Sequence, residues 1–158
     1  MVRIKLELPS HFHFSTVLAV RVSDLNYGNH LGNDRFLAYM QEARMKFFSS
    51  LGYSEINLAG AAVIMGDAVV VYKKECFYGD NLKIEVTVSD LGKRSFDLYY
   101  KFTRASDNEI VCEGKTGMVC FDYSTRKTVN IPSAFRERFE SHPEKKSIFE
   151  DDLVSGKK

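Results

Sequence analysis

The chain alternates between two hydrophobic periods, and that alternation predicts its elements. From Phe14 onward Thr16, Leu18, Val20 and Val22 make a largely apolar face, and Val17 and Ala19 between them are apolar too. The segment reads as a strand buried on both sides that ends at Ser23-Asp24. From Asn33 the period lengthens to 3.6. Phe36, Met40, Ala43, Phe47 and Leu51 share one stripe flanked by Leu37 and Phe48, with Arg35, Glu42, Lys46 and Ser49 across the axis. This predicts an amphipathic helix with Asn33 as its N-cap, Asp34 opposing the positive end of the dipole and Gly52 as its stop. Ala62 to Lys74 is almost continuously apolar and β-branched, the pattern of a strand covered on both faces, with Asp67 in its middle. After a turn at Gly79-Asp80, Leu82, Ile84, Val86 and Val88 alternate with polar residues, and after Gly92-Lys93 so do Phe96, Leu98, Tyr100 and Phe102. Asp107-Asn108 then turns the chain into a last strand from Ile110 to Tyr123, and the short links predict an antiparallel meander.

The order strand, helix, four strands predicts a two-layer α+β domain in which five antiparallel strands wrap one long helix. A short helical piece covers residues 134–139, and the charged, aperiodic tail 142–158 reads as mobile or loosely packed. At 158 residues, and without repeat or linker, the chain is expected to be one domain with a core over about residues 14–139. Lys+Arg 22 against Asp+Glu 21 gives a net charge of +1, which offers no domain-wide field for nucleic acid. The start, Met1 to Pro9, mixes charges into every apolar pair, so neither a signal peptide nor a membrane span is expected. Three cysteines, Cys76, Cys112 and Cys120, are an odd number that reads as reduced thiols in the cytoplasm.

Chemistry concentrates in the aperiodic loop D-L-N-Y-G-N-H-L-G-N-D, Asp24 to Asp34. Elsewhere, Gly114-Lys115-Thr116 lacks the earlier glycine of a phosphate loop, having Glu109 there, and no G-x-S-x-G or H-E-x-x-H occurs. His11 and His13 share a face without a third ligand nearby, so no metal site is assigned.

The loop and helix together, D-L-N-Y-G-N-H-L-G-N-D-R-F-L followed by Gln41-Glu42-Ala43-Arg44, resemble the hotdog-fold acyl-CoA thioesterases of the 4-hydroxybenzoyl-CoA thioesterase superfamily. Their entry segment often reads D-x-D-x-x-G-H-V-N-N-x-x-Y-L and then E-x-A-R. The likeness extends through Tyr72, the Gly79-Asp80 turn and the closing F-D-Y-S-T-R-K-T-V-N-I-P, Phe121 to Pro132. It implies a homodimer joined edge to edge, or a tetramer of two such dimers, with sites at the subunit interface. It further implies hydrolysis of a fatty or aryl acyl thioester of coenzyme A or of an acyl-carrier protein, with no cofactor beyond the coenzyme A of the substrate. A non-hydrolytic acyl-thioester binding module and a hotdog dehydratase are the alternatives.

By the same resemblance the N–H of Asn33 is the oxyanion donor, with Gly32 before it allowing close approach. The second aspartate of the motif, a catalytic carboxylate in one branch, is Asn26 here. An amide cannot accept the proton of water, so Asn26 can only orient or polarise. His30 holds the family's histidine position and either orients substrate, accepts a proton, or fixes the loop. The carboxylates that can replace the missing one are Glu75, Asp67, Glu42 and Asp24. Glu75 stands in Tyr72-Lys73-Lys74-Glu75-Cys76, which resembles the Y-R-R-E-C of plant acyl-carrier-protein thioesterases, whose glutamate is catalytic. Asp67 lies in an apolar run, where either desolvation raises its pKa as a general base needs or its carboxylate satisfies a buried backbone group at Gly66. Glu42 is on the polar side of the helix, and Asp24 ends the first strand, where an Asx-type turn competes with a catalytic role. Lys93, Arg94, Arg126 and Lys127 lie at turns and are candidates for the phosphates of coenzyme A.

Overall fold

The structure is a computed structural model that describes residues 1–140. The tail assigned above to 142–158 lies outside the described residues. Strand β1 (Phe14–Ala19) leads through a 3-10 turn (Val22–Asp24) and a loop to helix α1 (Asn33–Ser50). Strands β2 (Ala62–Tyr72), β3 (Asn81–Ser89), β4 (Ser95–Arg104) and β5 (Ile110–Asp122) follow, then the two-residue β6 (Lys127–Thr128) and helix α2 (Ser133–Glu140). All pairings are antiparallel. The sheet order is β1-β3-β4-β5-β2, with β6 on the end of β5, so the expected α+β hotdog arrangement is present with one short extra strand.

Helix α1 buries Phe36, Met40, Ala43 and Phe47 as its period requires, together with Tyr39, Arg44 and Phe48. They meet Leu82, Ile84, Val86, Leu98, Tyr100 and Phe102 from the inner face of the sheet. Gly52, at φ +81°, turns the chain just beyond the helix, as expected of a C-terminal glycine. Close approach of helix to sheet is set by Gly114 on β5: a Cβ there would run into Met40 Cε and lie 2.9 Å from its Sδ. We expect Gly114→Ala to cost about 1–3 kcal/mol by overpacking. A double-mutant cycle of thermal unfolding with Met40→Ala should show favourable coupling between the two sites.

Several expectations are corrected. Asn33 is the first helical residue; Gly32, extended at φ −64° and ψ 145°, is the N-cap and has no side-chain cap. The chain closes this end with backbone instead, as the Gly32 N–H donates to the Asp24 carbonyl at 3.0 Å. Strand β1 alternates half-buried and exposed residues, because the helix covers only one face of it. Strand β2 does not pair with the next strand. It lies beside β5 at the sheet's edge, and Met65 to Ala68 are exposed in the single chain. The meander therefore holds for β3-β4-β5 only, and residues 73–80 form a crossing between opposite sides of the sheet.

Candidate active site

That crossing builds the site. The chain leaves β2 at Tyr72 and runs past the N-terminus of α1, where the Leu31 N–H donates to the Cys76 carbonyl at 2.8 Å and His30 pairs with Phe77. It then reaches β1, where the Val20 N–H donates to the Asp80 carbonyl at 2.9 Å. The loop before α1 and the crossing after β2 thus clasp one helix end. Between them opens a cavity of about 200 Å³ whose lining includes His30, Asn33, Phe36, Tyr72, Glu75 and Cys76.

Of the residues singled out in the sequence, His30, Asn33 and Glu75 meet in this cavity, and Asn26 stands behind them. The His30 Nε2 lies 3.8 Å from Glu75 Oε1, longer than a hydrogen bond but close enough to pair charges. The other imidazole nitrogen, Nδ1, is 3.5 Å from the Asn26 amide nitrogen. Asn26 Oδ1 accepts the Gly28 N–H at 2.9 Å, which turns the amide nitrogen toward the ring. Asn26 is thus placed to hold the histidine. At the helix end, the N–H groups of Asn33 and Asp34 have no carbonyl one helical turn earlier to bond, so they present two donors and the positive end of the dipole. Tyr72 reaches across from β2 and donates its hydroxyl to the Asn33 carbonyl at 2.8 Å.

Asp24 is not exposed to this cavity. It is 4% exposed, and its carboxylate accepts the Tyr39 hydroxyl at 2.6 Å and Arg21 Nε at 3.1 Å, with Arg35 Nε 3.9 Å away. Burial pushes its pKa up, but the hydroxyl and the guanidinium groups outweigh burial and hold it below the ordinary value near 3.8. Asp24 therefore anchors the loop: its side chain ties β1's exit to α1 and its carbonyl holds Gly32. We expect Asp24→Ala to destabilise the fold by about 1–3 kcal/mol, since it strands buried donors. Because the folded pKa is depressed, this stabilisation is complete above about pH 4 and is lost as pH falls further through the folded value. Denaturant titrations of wild type and variant should converge in that acidic range.

Asp67 also departs from expectation. It sits beyond a register shift in β2 on the sheet's outer face, with its side chain 64% exposed. Lys115 Nζ donates to its carboxylate at 2.8 Å and the Gly117 N–H at 2.9 Å, and the lysine bond chiefly lowers its pKa below the ordinary range. The apolar run misleads because this part of it lies at an open edge, where the Lys115 bond outweighs the desolvation that would raise the pKa. Glu42 is exposed on α1 and pairs with Lys46 at 3.7 Å. Lys93, Arg94, Arg126 and Lys127 gather where β4 begins and β5 ends, and Arg94 Nη1 donates to Thr128 Oγ1 at 3.0 Å. The cavity lies at the other end of β4, where Arg104 Nη1 donates to the Glu75 carbonyl at 2.7 Å. Ten residues at about 3.3 Å each put roughly 30 Å between the two ends.

Sequence reasoning missed three supports. Tyr39, which the hydrophobic stripe does not include, is buried, and a buried phenol needs a polar partner, which Asp24 supplies. Arg44 is buried under α1, paired with Glu55 and donating to the Tyr100 hydroxyl; its place in the E-x-A-R match and its spacing one turn beyond Met40 mark the residue but not these partners. The motif marks Tyr72, but nothing in it points to the bond its hydroxyl makes. Cys76 is among the lining residues, but it is 1% exposed and burial pushes its thiol up to about 11, so it is not a thiolate nucleophile at neutral pH.

A family profile described as the thioesterase-like superfamily matches residues 20–139. The chain is similar to the long-chain acyl-CoA thioesterase FadM of Escherichia coli K12, 24% identical over 126 residues that span 79% of this chain and 96% of the relative. Among solved structures it resembles Slr0204, a 1,4-dihydroxy-2-naphthoyl-CoA thioesterase from Synechocystis. The TM-score is 0.74 at 21% identity, covering 82% of this chain and 98% of that one. It also resembles the gentisyl-coenzyme A thioesterase BH1999, with a TM-score of 0.70 at 19% identity over 78% of this chain and 99% of that one.

Proposed function

Since the chain belongs to the thioesterase-like superfamily, we infer that it is a thioester hydrolase that splits a fatty or aryl acyl-CoA into free acid and thiol. The observation that carries this reading is the convergence of Glu75, His30 and the free N–H groups of α1 on one cavity. A thioester carbonyl set at the helix end would find its developing negative charge met by the Asn33 N–H. Glu75, as carboxylate, takes a proton from water while the water oxygen bonds to the carbonyl carbon. His30, held by Asn26, fixes the carboxylate in place. When the tetrahedral intermediate collapses, the C–S bond breaks and the proton passes from Glu75 to the leaving sulfur. The same chemistry serves a thioester on an acyl-carrier protein.

The reading includes a dimer made by pairing β2 with the β2 of a second copy, which supplies the cover that Met65 to Ala68 lack. Antiparallel pairing about a two-fold axis near the middle of β2 sets one copy's Tyr72 end beside the other's Ala62 end. Ala62 pairs with Phe121, which in turn pairs with Thr128. The cationic turns of the partner thus come to roughly 10–15 Å from the cavity, two to three strand spacings away, while those of the same chain stay too distant. On this reading each site joins the catalytic end of one chain to the phosphate-binding turns of the other. A tetramer of two dimers and a cytoplasmic location extend it, the latter supported by three buried free thiols. No helix among the described residues is long and apolar enough to cross a membrane.

Free-thiol release from butyryl-, palmitoyl- and benzoyl-CoA, with and without chelator, tests the activity. We expect turnover of at least one, unchanged by chelator. Binding without release from any of them would instead make the protein an acyl-thioester binding module.

A further inference from the structure

A hydroxyl that touches the N-terminus of α1 belongs to Tyr72, a residue for which hydrolysis as outlined has no use. Tyr72 is the last residue of β2, its ring packs edge-on against Phe36 at 5.4 Å, and its hydroxyl donates to the carbonyl of Asn33. That carbonyl belongs to the peptide whose other end is the Asp34 N–H. Donation into a peptide oxygen polarises the whole unit and makes its N–H a better donor. It also fixes the direction of the first helical turn, which Gly32 leaves without a side-chain cap. Burial pushes the Tyr72 pKa above its ordinary value, so the group keeps its proton across the working range.

We propose that Tyr72 is a positioning residue for thioester hydrolysis: its hydroxyl clamps the Asn33–Asp34 peptide of α1 to β2, so that Asn33 and Asp34 together form a two-donor oxyanion site. The inference rests on the thioesterase reading above and adds to it a second donor and the group that aims both. The clamp also links the site to assembly, because Tyr72 is 49% exposed in the single chain and lies on the strand that would pair with a second copy.

Tyr72→Phe keeps the ring against Phe36 and removes only the hydroxyl. On whichever of butyryl-, palmitoyl- and benzoyl-CoA is turned over fastest, kcat should fall roughly 10-fold or more through misaimed donors, with KM and the thermal unfolding midpoint essentially unchanged. A purely structural role would move the unfolding midpoint instead. Unchanged kcat, or a loss confined to KM, overturns the proposal. The second readout is the infrared stretch of the thioester carbonyl in the complex of the same acyl-CoA with Glu75→Gln. Wild-type donors should lower that frequency relative to free thioester, and adding Tyr72→Phe should reverse part of the shift. A shift that survives Tyr72→Phe intact overturns this inference alone. No shift in the Glu75→Gln complex overturns the oxyanion site and this inference with it.

Discussion

Glu75→Gln is expected to lower kcat on acyl-CoA by roughly 100-fold or more while leaving the fold and substrate affinity in place. Glutamine keeps the shape of the side chain but cannot take a proton from water. The side chain is 66% exposed and its charge partner His30 stands 3.8 Å away, so loss of the charge removes little structure. The other carboxylates should behave differently. Asp67→Asn and Glu42→Gln alter exposed ion pairs on surfaces away from the cavity and should retain near-full turnover. Asp24→Asn changes a loop anchor and should affect stability before rate. His30→Ala should also reduce kcat, because Glu75 then loses the imidazole that holds it. Asn26→Ala should do less, since it only releases the ring that the loop backbone already positions.

The second large effect concerns the free edge of the sheet. If β2 pairs with a second copy as proposed, Met65→Asp is expected to give a monomer in sedimentation and to lower turnover by roughly 100-fold or more, because like charges would meet near the two-fold axis and each site would lose its partner half. Met65 is 48% exposed in the single chain, so the substitution should leave the protomer folded, as far-ultraviolet circular dichroism would report. A dimeric or fully active Met65→Asp protein would remove β2 pairing from the account.

The helix and the three-stranded meander were legible because their signals are local: a 3.6-residue stripe from Phe36 to Phe47, and alternation in Leu82–Val88 and Phe96–Phe102. The place of β2 was not, because an apolar run marks burial without saying against what, and half of β2 is open in one chain. The same blindness turned Asp67 into a desolvated base. Glu75 was found through a short motif, but its meeting with His30 depends on the crossing at 73–80. No sequence period encodes the route of that segment past the helix end. At Asp24 the strand end favours a structural turn over chemistry, and the structure gives it a structural role, but through Tyr39 and Arg35 in the first two turns of α1, partners that no local turn rule names. Of the four cations, Lys93, Arg94 and Arg126 lie in bends or turns as expected, whereas Lys127 opens the short strand β6; only the strand register shows how far all four stand from the cavity of their own chain.

The most direct test mixes two inactive proteins. One carries Glu75→Gln; the other carries serine in place of Lys93, Arg94, Arg126 and Lys127. After joint unfolding and refolding, with thiol release measured below saturating acyl-CoA, half of the dimers are hybrids. Each hybrid should hold one intact site, built from the Glu75 of one chain and the cations of the other. Activity should therefore return to about a quarter of wild type, the statistical share for a two-fold shared site. A mixture no more active than the average of its two components would contradict the shared site, because each defect would then disable its own chain alone.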